Sequence, residues 1–358
     1  MDRFRVIFDA ERMKYPHTGL YHFCKQLGLA LLEENKITES IDIQFYLSDI
    51  ASKIFGDHVQ YIQQKSMHKF LRPFLPNTQL WHSTYQLSSY FPRNSKTKIL
   101  STIHDLNFLK EGKSNEKERK YLKKLQNNLD RSDSVVAISN YVKQDLLNYC
   151  NLRGKEIQVI YNGSNMASNF HASVDVERCS NNEKQFIFTI GTVNRKKNFH
   201  VLPYLLVGNN LHLFISGIIN QEGYDRYIMD IAHKLGVAER IRITGPISEE
   251  EKYNYLKNCA LFVFPSIAEG FGLPVIEAMS FGKKVLLSTY TCLPEIGGPE
   301  AFFLESTDPD YLIEFGKSNL MDIIYSEDRT AEIKSWAAQF SWDKAAAEYW
   351  ELYKKLLK

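Results

Sequence analysis

Short apolar runs separated by longer stretches with helical spacing recur along the whole chain, and this alternation predicts the architecture before any motif is considered. Arg5–Phe8 reads as a first strand, followed by a loop ending Pro16-His17-Thr18-Gly19 and a helix whose apolar spacing persists to about Leu32. Ile41–Leu47, Leu80–Ser83, Thr97–Ile103, Val135–Ser139 and Ile157–Ile160 read as further strands, the last running into Asn162-Gly163, a turn dipeptide. Residues 164–185 are polar and unpatterned, which suits an interdomain linker. A second set then begins: Phe186–Ile190, Leu211–Ser216, Ile241–Thr244, Leu261–Phe264 and Val285–Ser288, with Trp342–Leu357 as an aromatic-rich amphipathic helix. Strands alternating with helices predict the α/β class, here two Rossmann-like doubly wound domains that face one another across a cleft. The expected boundaries are 1–170 and 171–340, with a helix over 341–358 that can cross back to the first domain.

Composition narrows this picture only a little. A chain of 358 residues exceeds what one core usually fills, which agrees with two domains. A net charge of +2 does not announce a nucleic-acid binder, so any basic surface must be local. Five cysteines (Cys24, Cys150, Cys179, Cys259, Cys292) stand without a Cys-x-x-Cys pair, which argues against a disulfide framework or zinc site and favours a reducing compartment. The N-terminus enters a strand-like run without the longer apolar core of a signal peptide, and no run approaches the roughly 18 apolar residues of a spanning helix. The expectation is a cytoplasmic protein that can touch a membrane at its inner face without crossing it. Two stretches could make that contact: Lys110–Arg131, with eight basic and four acidic residues, and His58–Phe74, where Lys65, Lys69 and Arg72 mix with Phe70, Leu71 and Phe74. For the first, a solvated helix face is the stronger reading.

Candidate chemistry concentrates in Pro265-Ser-Ile-Ala-Glu269-Gly-Phe-Gly-Leu-Pro274-Val-Ile-Glu277. An apolar strand precedes this Gly-rich loop, and Pro274 suits the first position of a following helix, where its missing N–H costs nothing. Such a helix start attracts phosphate, and two carboxylates beside it suggest a partner that also presents hydroxyls. Gly191-Thr-Val-Asn-Arg195-Lys196-Lys197-Asn198 also follows a strand and precedes a helix; its three cations could neutralise a diphosphate. His104-Asp105 closes a strand, where a structural histidine and a functional one are about equally expected. Asp308-Pro309-Asp310 could hold a metal on a diphosphate, but a helix cap is the stronger reading. Asn162-Gly163-Ser164 fits a glycosylation sequon and reads better as a turn.

In order and spacing these motifs resemble the retaining glycosyltransferases of family 4, which have the two-Rossmann GT-B fold. The most specific match is Glu269 and Glu277 separated by seven residues; Thr18-Gly19, His104-Asp105, Ala137-Ile-Ser139, Tyr161-Asn-Gly163, the Gly191–Asn198 loop, Thr244-Gly245-Pro246 and Leu293-Pro-Glu295 support it. Within the family the chain is most similar to the mannosyltransferase-like members of bacterial polysaccharide synthesis. The resemblance implies a nucleotide sugar, GDP-mannose or a UDP-sugar, as donor and a saccharide or lipid-linked saccharide as acceptor, with no cofactor and no metal. It further implies that Lys197 meets the donor diphosphate with Gly191 beside it, Glu277 the ribose, and Glu269 the sugar, with Gly270, Phe271, Gly272 and Leu273 nearby. Gly19 and His104 would attend the diphosphate and the sugar from the first domain. Related members carry an Arg directly before the loop lysine or directly after the first Gly; here Lys196 and Thr192 stand there, and Arg195 is the expected substitute. Rival readings are a GT-B sugar-nucleotide epimerase, a phosphorylase, and a non-catalytic nucleotide-sugar binding module. A nicotinamide dehydrogenase is disfavoured because no Gly-x-Gly-x-x-Gly follows the first strand.

Overall fold

The computed structural model describes residues 4–16, 18–38, 41–164 and 185–358, and among these every strand pairing is parallel. One sheet contains β1 (Phe4–Asp9), β2 (Ile41–Leu47), β3 (Gln60–Gln63), β4 (Leu80–Ser83), β5 (Lys98–Ile103), β6 (Ser134–Ala137) and β7 (Ile157–Val159), in the order β3-β2-β1-β4-β5-β6-β7. The other contains β8 (Phe186–Ile190), β9 (His212–Ser216), β10 (Ile241–Gly245), β11 (Leu261–Phe264), β12 (Val285–Ser288) and β13 (Phe302–Leu304), in the order β10-β9-β8-β11-β12-β13. Both orders are doubly wound. The strand order reverses beside β1 in one sheet and beside β8 in the other, so crevices at the carboxyl ends of β1/β4 and β8/β11 are the natural ligand positions.

The chain divides into two compact units, Met1–Asn165 with Phe340–Lys358, and Met166–Gln339. The stretch read as a linker falls almost entirely on residues 165–184, outside the described residues. Central strands of both units are buried on both faces, as parallel strands covered by helices must be: β4 and β11 are buried at every position. Ile187, Phe199, Leu213, Ile215, Val263 and Leu286 form the centre of the second core.

Helix Trp342–Leu357 packs on helix Gly19–Thr38 of the first unit, and buried polar groups fix its register. The Trp350 indole N–H donates to the Leu31 carbonyl at 3.2 Å. His82 Nδ1 lies 2.7 Å from the Tyr353 hydroxyl, and Thr102 Oγ1 lies 2.8 Å from that of Tyr349. Fully buried and unable to keep a proton, His82 is pushed down to about 3 by burial and then by His104.

Four features differ from the pattern read in the sequence. β3 and β13 are edge strands of four and three residues, too short to show alternation. Asn162-Gly163 makes no turn: Asn162 is buried, and a Cβ at Gly163 would lie 2.1 Å from the Trp342 backbone nitrogen, so close packing is what requires glycine. The helical stretches after Gly191 are of 3-10 type, Arg195–Lys197 and Phe199–Leu206, interrupted by Asn198 in the left-handed region (φ 58°) and carrying Pro203. The helix after the Gly-rich loop begins at Leu273, so Pro274 stands at its second position. Asp308 is a cap, its carboxylate accepting from the Asp310 and Tyr311 backbone N–H groups. Cys24, Cys150, Cys259 and Cys292 are free thiols. Among the described residues no helix is long and apolar enough to cross a membrane.

Candidate functional site

At the second unit's switch point two loops meet, one leaving β8 and one leaving β11. Ile267 N–H donates to the Lys196 carbonyl at 3.0 Å and the Ser266 hydroxyl oxygen lies 3.2 Å from the same oxygen, so the loops are tied through the backbone. Lys197 Nζ then lies 2.5 Å from Glu269 Oε1, with both side chains 12% exposed, and sits 4.8 Å above the Phe264 ring. A Cβ at Gly191 would stand 3.2 Å from Lys197 Cε, so glycine there makes room for the lysine stem. Gly217 is needed for a sharper reason: at φ 136° its Cβ would lie 1.9 Å from the Gly191 carbonyl oxygen.

Glu269 is held from three sides. Ser266 Oγ donates to Oε1 at 2.5 Å, and the Glu269 backbone N–H donates to Thr291 Oγ1 at 3.1 Å. Thr291 itself adopts a left-handed backbone (φ 57°), which a β-branched residue keeps only where its surroundings impose it. Burial works to raise the Glu269 carboxyl, but Lys197 and then Lys196 more than offset it, and the group sits below the ordinary glutamate range. An ionised carboxylate beside an ammonium can accept hydroxyl hydrogen bonds on one side while the cation faces an anion on the other.

Gly270 and Phe271 are buried, and Gly272, left-handed at φ 96°, turns the chain into helix Leu273–Ser280. Glu277, 4% exposed, projects from that helix toward Lys252 of helix Glu249–Asn258, at 3.2 Å; Lys252 also meets Glu249 at 2.7 Å. Burial opposes the Lys252 ammonium, yet Glu277 and Glu249 hold it above the usual lysine range. Arg195 stands apart from this group. Its side chain is exposed and lies over the rings of Tyr227 (5.0 Å) and Tyr224 (6.0 Å), and the second cation acting on Glu269 is Lys196.

In the first unit, Thr18 caps helix Gly19–Thr38 by accepting the Tyr21 N–H at 3.2 Å, and a Cβ at Gly19 would meet nothing within 4 Å. Neither packing nor a left-handed backbone within the chain requires glycine there. His104 is buried at the end of β5, with Nε2–H donating to the Thr84 carbonyl at 2.8 Å and Phe23 edge-on at 4.5 Å. Burial pushes it down to about 4, so the imidazole is uncharged at neutral pH. Beside it, Asp9 ends β1 and is 2% exposed. Its carboxylate accepts from the Glu11 N–H at 3.1 Å and the Ser88 hydroxyl at 3.3 Å, yet burial and the nearby Glu11 raise it to about 8.

Sequence reasoning passed over Asp9, Lys252 and Thr291. An acidic residue closing the first strand was a visible signal for Asp9. Lys252 follows three glutamates in a helix, where a lysine looks like part of a solvated face, and Thr291 owes its role to a backbone conformation.

The family model described as Glycosyl transferases group 1 matches residues 175–317, and that described as Glycosyltransferase Family 4 matches residues 61–167. The chain is 25% identical over 391 residues to O-antigen chain mannosyltransferase B of Escherichia coli, covering 98% of this chain and 100% of that protein. Among solved structures it is similar to sucrose-phosphate synthase (tll1590) from Thermosynechococcus elongatus, with a TM-score of 0.73, 18% identity and 99% of each chain covered. It is also similar to Anabaena Alr3699/HepE in complex with UDP and glucose, with a TM-score of 0.71, 13% identity and coverage of 98% of this chain and 100% of that one.

Proposed function

Because the chain belongs to the family 4 glycosyltransferases and has their GT-B type of architecture, we propose that it is a retaining hexosyltransferase acting on a nucleoside diphosphate sugar. The sugar in this reading is mannose, with GDP-mannose as the first donor to test and a UDP-sugar as the second. The acceptor is a glycan or a lipid-linked saccharide, which agrees with the name of the Escherichia coli relative. The observation that carries the reading is the Lys197–Glu269 pair at the carboxyl ends of β8 and β11, at a switch point and beside a helix start.

Glycosyl transfer develops positive charge on the sugar ring and negative charge on the departing diphosphate. Lys197 and Lys196, together with the start of helix Leu273–Ser280, supply positive potential for that leaving group. Ionised Glu269 accepts hydrogen bonds from the sugar's hydroxyls, and Glu277, oriented by Lys252, accepts those of the ribose. With this charge provided by lysines, turnover is expected to survive a chelator of divalent cations.

The experiment is to incubate the purified protein with candidate nucleotide sugars and saccharide acceptors and to measure nucleotide release. Release that depends on acceptor and is lost in Glu269→Gln and Lys197→Ala supports the proposal. Turnover unchanged by both substitutions overturns the residue roles. Donor conversion without acceptor marks an epimerase, and binding without turnover marks a non-catalytic module.

A further inference from the structure

Residues 58–104 include six Lys or Arg and no Asp or Glu. Within that stretch, the segment after β3 turns through the 3-10 helix Ser66–Lys69 and holds its large apolar side chains outward: Phe70 is 86% exposed, Phe74 71%, Leu71 67% and Met67 53%. The segment is anchored behind them. His68 Nδ1 is 3.0 Å from the Tyr46 hydroxyl, the Pro73 carbonyl accepts from the Arg93 N–H at 3.2 Å, and Gln64 Nε2 donates to the Tyr90 hydroxyl at 2.8 Å. A held turn that exposes two phenylalanines and a leucine is an unpartnered surface.

The basic stretch Lys110–Arg131 meets this segment here. Lys124 of helix Asn115–Arg131 donates to Ser89 Oγ at 2.7 Å, and Lys69 lies 5.8 Å from the ring of the adjacent Tyr90. The Lys124 ammonium is pushed below the ordinary lysine range by burial and then by Lys69, so the two cations share one neighbourhood. Because this turn follows β3 in an all-parallel sheet, it lies at the same carboxyl edge as Asp9 and His104.

We propose that Phe70, Leu71 and Phe74 insert into an anionic lipid surface to which Lys69, Arg72 and Lys124 are drawn. Lys69 and Arg72, exposed cations with long stems beside short apolar protrusions, match the boundary between headgroups and acyl chains, with the half-buried Lys124 adding positive charge behind them. A second copy of the chain would set this turn, whose own stretch 58–104 has no Asp or Glu, against itself, which charge complementarity opposes. Docking here would bring the edge of the sheet that bears Asp9 and His104 to the membrane, where a lipid-linked saccharide resides.

The test is sedimentation of the full chain with phosphatidylcholine vesicles, with and without one quarter phosphatidylglycerol, at low and high salt. The expected result is binding only with phosphatidylglycerol, weakened by salt, and reduced about ten-fold or more in Phe70→Ser/Phe74→Ser and in Lys69→Gln/Arg72→Gln. All four positions are exposed, so these variants should keep the wild-type melting temperature. No sedimentation at low salt, or equal sedimentation of wild type and Phe70→Ser/Phe74→Ser, overturns the proposal. So does a lipid-free dimer that becomes monomeric in that variant, because the surface would then join two copies. None of these outcomes bears on the donor reading, whose lysines and glutamates lie in the other unit.

Discussion

The Lys197 ammonium lies 2.5 Å from Glu269 Oε1 and draws together the loops that leave β8 and β11. In the proposed reaction that ammonium has a second anion to meet, so its removal has two separable effects. Lys197→Ala should lower kcat/KM about 10²- to 10³-fold, the scale of losing one preorganised donor at a developing anion. It should also leave Glu269 to the influence of burial, which raises its carboxyl. The acid limb of the pH profile for residual activity is therefore expected to move to higher pH. A profile that keeps the wild-type limb would show that Lys197 does not control Glu269.

Lys252 and Glu277 form a buried pair, and removing one partner strands the other charge. Lys252→Met should cost about 3–5 kcal/mol of stability, with Lys252→Met/Glu277→Gln recovering part of it. The same substitution is expected to raise the donor KM more than it lowers kcat, because Glu277 acts on the ribose rather than at the reacting carbon. Thermal unfolding and donor titration check the two halves independently.

Asp9 supplies a pH dependence whose sign is the reverse of the usual carboxylate. Its pKa is raised from 3.8 in the ordinary state to about 8 in the fold, so the folded protein binds its proton more tightly than the unfolded chain does. This contribution favours folding below about pH 4 and is lost as pH rises toward 8, with a slope of up to ~1.4 kcal/mol per pH unit. Asp9→Asn should therefore be more stable than wild type at pH 8 and lose that advantage by pH 4. Melting temperatures of the two proteins that run parallel across this range would refute the assignment.

How much of this was legible beforehand follows from where each signal lives. The central strands announce themselves because burial on both faces needs continuous apolar runs; β2, β4, β8, β11 and β12 have the bounds expected from the sequence. β3 and β13 do not, since an edge strand of three or four residues needs no such run. The loop carrying Glu269 and Glu277 was visible because two chemical types stand at fixed spacing. The pairing of Glu277 with Lys252 was not, because it joins two helices through positions that look like surface. Arg195 shows the converse limit: its sequence neighbourhood suggests a phosphate ligand, and the turn sends it over Tyr227.

Gly163→Ala tests the packing against helix Trp342–Leu357. A Cβ 2.1 Å from the Trp342 nitrogen forces the helix start to move, and a cost of about 2 kcal/mol or more is expected from overpacking. Amide exchange should quicken along 342–357 and along helix Gly19–Thr38, on which it packs, while the second unit stays protected.

The contact between His82 and Tyr353 spans 271 positions of the chain. During synthesis the first sheet can assemble early, but the helix that covers it emerges only after all of the second unit has been made. Until then a face bearing His82, Thr102 and Leu31 waits uncovered, and folding of the first unit cannot close before the second has had its chance to fold. A ribosome-bound chain that stops before Trp342 should therefore present protease-sensitive sites in the first unit while the second already resists cleavage.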